Sequence, residues 1–447
     1  VKDIRAAVKT LPKTLDEFYD RILLQIEEKV REQAHIALQW IAFAARPIRL
    51  EELAEAIIVN SHAEPALDEE DRILHCKTLL DFLPAGLIST VVTYSSSSSS
   101  ETSLFYDTPN FSSDDEEDGS YLSRSDMNEN SEDDSSKIII QFAHFSVKEY
   151  LVSSRILDGS APNFQVQEVA AHSLISKTCF AYMLWIGSKE PNITDELLSN
   201  FPLLHYSSRC WTSHICALDD HFDDDRLQTL ALSFLDTDAY AWRIWNSTGL
   251  PPGGSNTEEL FTELLTRGAK IKKKPKIAVH PLTWASIFSM TSILQLLLPR
   301  THSINGIKLS RDFSRYYGDP LYAASRYGSL QTAQMLVKAG ASVNHPDPDY
   351  TPALRGAALA RSFEKVKFLW DQGADLNNGN ALVPAAESES KSVLEPLLQS
   401  DADVNAKDNK YGTDLVAAVH SGFLDGIKAF LDAGASISCT EPSGTAL

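Results

Sequence analysis

Apolar residues recur every three to four positions through most of this chain, and strand-like runs are few and short. Leu15, Phe18, Tyr19, Ile22, Leu23 and Ile26 fall on one face of a helix. Thr14 precedes them with Glu17 three residues on, a capping-box start. Ile36, Leu38, Trp40, Ile41 and Phe43 predict a heavily buried helix, which Pro47 stops. Leu50 to Val59 predicts the next, through Leu53, Ala54, Ile57 and Ile58, and Arg72 to Leu83 ("RILHCKTLLDFL") a third. After Pro84-Ala85-Gly86 the period shortens. Leu87 to Tyr94 ("LISTVVTY") and Lys137 to Val147 ("KIIIQFAHFSV") read as strands, before "VKEYLVSSRIL" returns to helix. That places Phe142 and Phe145 in a buried strand, and His144 and Ser146 on one strand face. Three helices followed by two strands make a winged-helix pattern.

Between the two strands lies a Ser-rich acidic insertion, residues 95–137. Its composition cannot bury enough apolar surface to offset chain ordering, so it is expected to be disordered. A hairpin tolerates such an insertion because closure cost grows only with the logarithm of length. Ser112, Ser113, Ser123 and Ser131 each have an acidic residue three positions downstream. The tract therefore reads either as a loop expansion or as a phosphorylation platform, in which added charge extends the loop or docks it on a basic partner.

Residues 1–158 thus form a helical and winged-helix region. Residues 159–255 read as a helical connector. Val166, Val169, Leu174, Ile175 and Phe180 mark an amphipathic helix. His205, Cys210, His214 and Cys216, with His221 beyond, are zinc-ligand types, but they lack a standard pair spacing. Tyr206, Cys210 and His214 recur every four residues, so helix packing is the expected role and no metal is expected. Trp242 and Trp245 precede the break "STGLPPGGSNT", the clearest boundary in the chain.

Residues 256–447 are periodic. "PLYAASRYGSLQTAQMLVKAGASVN", "PALRGAALARSFEKVKFLWDQGADLN", "ALVPAAESESKSVLEPLLQSDADVN" and "DLVAAVHSGFLDGIKAFLDAGASIS" align on Ala324, Ala357, Ala385 and Ala418. Sixteen residues on stand Gly340, Gly373, Asp401 and Gly434. A weaker copy carries Ala285 and Thr301, "FTELLTRGAKIK" keeps a second helix and Gly268, and "GTAL" begins another copy at the truncated end. These are degenerate ankyrin repeats, each a turn and two antiparallel helices. Small Ala lets inner helices stack closely, and Gly after the second helix supplies a left-handed cap. Pro396, Asp401 and a shortened finger after Asn377 depart from the pattern, and a kink or weak contact is expected there. Such arrays bind proteins on finger tips and the inner-helix face. Register makes Arg326, Tyr327, Glu387 and His420 exposed inner-helix candidates. Asp347, Asp349, Tyr350, Asp408, Lys410 and Tyr411 are the candidates at the tips.

The expected fold is therefore mainly α: a winged-helix and helical region followed by an ankyrin-repeat α-solenoid. The chain has 447 residues, 43% hydrophobic, with a formal net charge of -21. From Ser95 to Lys137 there are 12 acidic and 2 basic residues, whereas from Asn256 to Leu447 there are 20 of each. An acidic chain is a poor partner for nucleic acid or anionic lipid. The longest apolar runs fall short of about 20 residues, so no membrane span is expected. Five scattered cysteines without a CxxC pair fit a reducing compartment, and a cytoplasmic location is expected. The run Lys270 to Lys276 offers a nuclear import signal or a solvated turn. The first residue is Val1, which reads as the start of a fragment.

"LPKTLDEFYDRIL", "ALQWIAFAARPIRLEELAEAI" and "FAHFSVKEYL" resemble, in order, the region following the nucleotide-binding domain of NACHT-type (STAND) signalling NTPases of filamentous fungi. The resemblance covers roughly residues 11–155, and "YSSRCWTSH" is similar to a helix of the same family. It implies a winged-helix and helical region that relays nucleotide state, then ankyrin repeats that sense a protein ligand. It also implies self-association through the NTPase of the parent protein. The family's phosphate loop, GxxxxGK[ST], does not occur in these 447 residues. The expected role is thus non-catalytic signalling and protein interaction, without a cofactor. The alternatives are a free-standing ankyrin scaffold without an NTPase, or a hydrolase centred on His144 and Ser146. The latter lacks a Gly-rich nucleophile elbow.

Overall fold

The computed structural model describes residues 14–68, 70, 72, 79–93, 137–189, 200–218, 221–236, 280–307, 318–345, 352–377, 381–400, 402–406 and 413–437. The chain is mainly α-helical, as its periodicity predicts. It divides into two units, residues 1–54 with 73–165, and residues 55–72 with 166–447.

In the first unit, α1 (Leu15–Leu24) starts where the capping box places it: Thr14 Oγ1 accepts from Glu17 N at 3.1 Å. Its buried face is narrower than the predicted stripe. Tyr19, Ile22 and Leu23 are buried, while Leu15 and Phe18 are exposed. The helix α2 (Arg31–Phe43) buries Leu38 and Trp40 completely. A two-residue strand β1 (Ile48–Arg49) follows, and α3 (Leu50–Ala56) begins at once. After α4 (Leu79–Phe82) come β2 (Ile88–Thr93) and β3 (Lys137–Phe142).

The strands form an antiparallel sheet in the order β1-β3-β2. Thr93 stands opposite Lys137, so β2 ends and β3 begins at one register position. Residues 94–136, with Ser112, Ser113, Ser123 and Ser131, lie outside the described residues. The strand β1 is not predicted from the pattern, because two residues between Pro47 and a helix show no period.

The strand β3, expected to run from Lys137 to Val147, ends at Phe142. Ala143 N donates to Leu87 O at 2.9 Å, and then the chain turns into α5 (Phe145–Val152). His144 caps this helix, its Nδ1 accepting from Ser146 N at 3.2 Å. His144 and Ser146 therefore do not share a strand face. Phe145, expected in the core, is 68% exposed. The buried members of α5 are Val147, Tyr150 and Leu151. The Tyr150 hydroxyl donates to Asp20 Oδ1 at 2.6 Å, and Ser160 N donates to Asp20 Oδ2 at 2.6 Å. Burial, and then Asp20, push the Tyr150 phenol above its ordinary pKa. A side chain at Gly159 would put Cβ 2.5 Å from Asp20 Oδ2, so it would displace this carboxylate. The short α6 (Arg155–Asp158) precedes this glycine.

In the second unit, α7 (Glu168–Lys189) is packed on α8 (Pro202–Leu218) and α9 (Asp225–Phe234). Among the described residues, α7 is the one helix long and apolar enough to cross a membrane, and 67% of its most apolar window is buried against protein. Phe180, Trp211 and Phe234 form its aromatic core, with ring centroids 5.2–5.5 Å apart. Glu55, which belongs to this unit, accepts from Arg72, from the Tyr182 hydroxyl at 2.5 Å and from Leu203 N at 3.1 Å.

Among the described residues, five helix pairs follow. The inner helices are α10 (Pro281–Ile287), α12 (Pro320–Arg326), α14 (Ala353–Leu359), α16 (Leu382–Glu387) and α18 (Asp414–Ser421). Their outer partners are α11 (Thr291–Leu297), α13 (Leu330–Lys338), α15 (Phe363–Asp371), α17 (Lys391–Leu398) and α19 (Leu424–Asp432). Ala285, Ala324, Ala357, Ala385 and Ala418 are all buried where inner helices stack. Gly340, Gly373 and Gly434 have φ of +95°, +87° and +86°, the left-handed caps that the repeat register predicts. The helix α17 runs through Pro396 and buries Val393, Leu394 and Leu397. Asp401 lies outside the described residues.

Candidate functional site

Inner helices of the array place their columns by register. Two residues before the buried Ala stand Tyr322 on α12 and Arg355 on α14. Two residues after it stand Arg326 on α12, Glu387 on α16 and His420 on α18. Arg326, expected to be exposed, is half-buried and lies over the ring of Tyr327, 5.7 Å from its centroid, and Tyr327 is 39% exposed. Glu387, expected to be exposed, is instead half-buried and meets Arg355 at 3.4 Å, with side chains 15% and 22% exposed. Arg355 stands on α14, the inner helix packed against α16. His420 is exposed.

Tyr322 is the hub of this cluster. Burial first, then Tyr327, and in smaller part Arg326, Arg355 and Glu387, set its phenol at about 12. Its ring reaches α14 because position 356 is glycine; a Cβ there would lie 3.1 Å from the ring and from Tyr322 O. Tip candidates Asp347, Asp349, Tyr350, Asp408, Lys410 and Tyr411, and the run Lys270 to Lys276, lie outside the described residues.

Arg355, Lys365 and an asparagine ladder were not singled out from the sequence. The Nζ of Lys365, on outer helix α15, donates to Gly328 O at 2.5 Å, Ser325 O at 3.1 Å and Ala324 O at 3.5 Å. It caps the C-terminus of α12, the inner helix of the preceding repeat, where carbonyls lack intrahelical partners. Burial, and then Arg326, lower its pKa. Lys365→Met keeps the stem but removes these charge-assisted bonds, and an expected loss of about 1.5–3 kcal/mol is read by urea unfolding.

Asn344 Nδ2 donates to Gly373 O at 2.8 Å, and its Oδ1 accepts from Asp375 N at 2.9 Å. Asn305 does the same with Gly340 O and Ser342 N, and Asn405 with Gly434 O and Ser436 N. Asn377 Oδ1 accepts from Asp403 N. These asparagines recur four residues after Thr301, Gly340, Gly373 and Asp401, so their register was visible although the reach across repeats was not.

Among the described residues no three His, Cys, Asp or Glu side chains could hold a metal ion. Of the histidines considered for zinc, His214 is buried, His205 half-buried and His221 exposed. His214, on α8, has Nε2 2.8 Å from the Tyr206 hydroxyl and Nδ1 2.8 Å from His172 Nδ1. Burial, then His172, push its pKa down to about 3, so the ring is neutral. Cys210 is buried on the same helix, whereas Cys216 and His221 are exposed.

Stacked helix pairs, small inner residues and left-handed glycines define ankyrin-repeat architecture, and the ankyrin-repeat family model matches residues 319–348. Ankyrin repeats generally mediate protein–protein interaction. The chain is 27% identical over 341 residues to azaphilone pigments biosynthesis cluster protein L of Monascus ruber, covering 75% of this chain and 61% of that protein. It is 31% identical over 134 residues to a transient receptor potential cation channel subfamily A member 1 homolog of Caenorhabditis elegans, covering 29% of this chain and 11% of the other. The matches thus span less than two thirds of each of these relatives.

Proposed function

We propose that this chain is the non-catalytic interaction and regulatory region of a NACHT-type signalling protein. The repeats bind a protein partner, and the helical region relays nucleotide-dependent state from an NTPase elsewhere in the parent. The observation that carries the interaction role is the inner-helix cluster of Arg326, Tyr327, Arg355 and Glu387, a charged aromatic face on three successive repeats. The regulatory role is supported by the helix order and the β1-β3-β2 sheet, which suit a winged helix. A cytoplasmic location, and self-association through the parent's NTPase, belong to the same reading.

A hydrolase at His144 and Ser146 is the weaker reading. Their side chains are 2.6 Å apart, but His144 Nδ1 also accepts from Ser146 N, and the Ser146 hydroxyl meets Tyr19 at 2.7 Å. Capping accounts for the backbone contact, and the Tyr19 hydroxyl already occupies the Ser146 hydroxyl.

Two measurements test the proposal. A complete transcript should encode a phosphate loop upstream of Val1; a full reading frame without one leaves a free-standing ankyrin scaffold. A partner crosslinked to the full chain should lose about tenfold or more in affinity in the R326A/Y327A variant, a change of about 1.4 kcal/mol. Unaltered affinity would remove the interaction face from the proposal.

A further inference from the structure

We infer that the segment seated on this inner-helix face is an acidic peptide, whose carboxylates pair with Arg326 and Arg355 beside Tyr327. This rests on the interaction role proposed above and specifies the chemistry of the partner.

Charge complementarity carries the inference. Arg326 and Arg355 both bear on Tyr322, and Arg326 bears on Lys365, whose Nζ reaches Gly328 O; the carboxylates beside them are Glu387, which meets Arg355, and the buried Asp319, which accepts from Tyr322 N. Cations gather here in a chain whose formal net charge is -21. Lys365 is committed to backbone carbonyls, so its charge adds to the local potential while its donors are used within the fold. Glu387 meets Arg355 at 3.4 Å. That is longer than the ~2.7–2.9 Å of a tight charge-assisted bond, so a better-placed carboxylate can compete for the guanidinium.

Partial burial makes the charge pairing matter. Arg355 is only 22% exposed, and a carboxylate bound there is screened less by solvent than one on an open surface. Tyr327 supplies an amphipathic anchor beside Arg326, and Tyr and Arg are both residue types enriched at interface hot spots.

The test uses the full chain and fluorescence anisotropy. The probes are a fluorescein-labelled peptide rich in Asp and Glu with interspersed Leu, its Asn/Gln counterpart, its Lys counterpart, and a single-stranded RNA of matching charge. The acidic peptide should bind at least about tenfold more tightly than the neutral one, and more weakly as salt rises. Arg326→Gln and Arg355→Gln should each weaken it by about fivefold or more, with Tm unchanged. Glu387→Gln should tighten it, an effect that generic unfolding cannot mimic.

Equal binding of acidic and neutral peptides overturns the inference, as does no acidic binding up to millimolar peptide. Preferential RNA binding, or insensitivity to both arginine changes, overturns it too. A crosslinked partner that depends on Arg326 and Tyr327 but ignores charge would sink the acidic chemistry and leave the interaction role standing. A partner insensitive to R326A/Y327A would sink the role itself.

Discussion

Replacing Glu55 with alanine is expected to lower the unfolding free energy by about 3–5 kcal/mol. The carboxylate accepts from Arg72, the Tyr182 hydroxyl and Leu203 N, which links three parts of one unit. Tyr182 and Leu203 are fully buried, so water cannot replace the acceptor they would lose. Each buried donor left unpaired costs about 1–3 kcal/mol. Burial, and then Glu55, hold the Tyr182 phenol well above its ordinary pKa, so the hydroxyl stays a donor throughout the usual pH range. Glu55→Gln should cost less, because its amide oxygen still accepts. Urea unfolding of both variants tests this. An alanine variant within about 1 kcal/mol of the parent would show that the three donors find other partners.

Acidification should destabilise the second unit through His214. Its folded pKa lies near 3, against about 6.5 for an unfolded histidine. Between those values the unfolded chain binds a proton that the folded chain does not. Stability therefore falls as pH falls, by up to about 1.4 kcal/mol per pH unit, and is fully present above about pH 7. Between pH 7.5 and 5 the expected loss from this group is about 2 kcal/mol. Burial also lowers the pKa values of His35 and His280, which act in the same direction. His214→Gln should be less stable at neutral pH, since the contacts to Tyr206 and His172 change, but its stability should slope less with pH. An unchanged slope, measured by urea unfolding at half-unit pH steps, would refute the assignment.

The helices of the first unit and the repeat register were legible because both depend on periodic apolar positions. Thr14 capping, the β2–β3 pairing and the left-handed Gly340, Gly373 and Gly434 follow from local chemistry that leaves little choice. The candidate face was legible only in part. Arg326, Tyr327 and His420 could be named from register, but Glu387 gained cover from Arg355, which stands on the neighbouring helix. The strand ending at Phe142 was overextended, because Phe145 continues an apolar run although its side chain faces outward.

Sequence alone determined the mainly helical class, the phase of the repeats and the place of the acidic insertion between paired strands. Each is encoded in spacing along the chain. Tertiary structure decided which polar groups meet across long separations. Glu55 with Leu203, Asp20 with Tyr150, Lys365 with Gly328 and Asn344 with Gly373 are such pairs. A buried polar group must find a partner wherever the fold brings one near, and spacing along the chain does not record that meeting. The same holds at the turns between inner and outer helices. Ser289, Arg361 and Glu389 take φ of +56°, +56° and +52°, a conformation that Gly422 adopts at the equivalent turn. Stacking of the helices on either side imposes that geometry on residues whose own preference is against it.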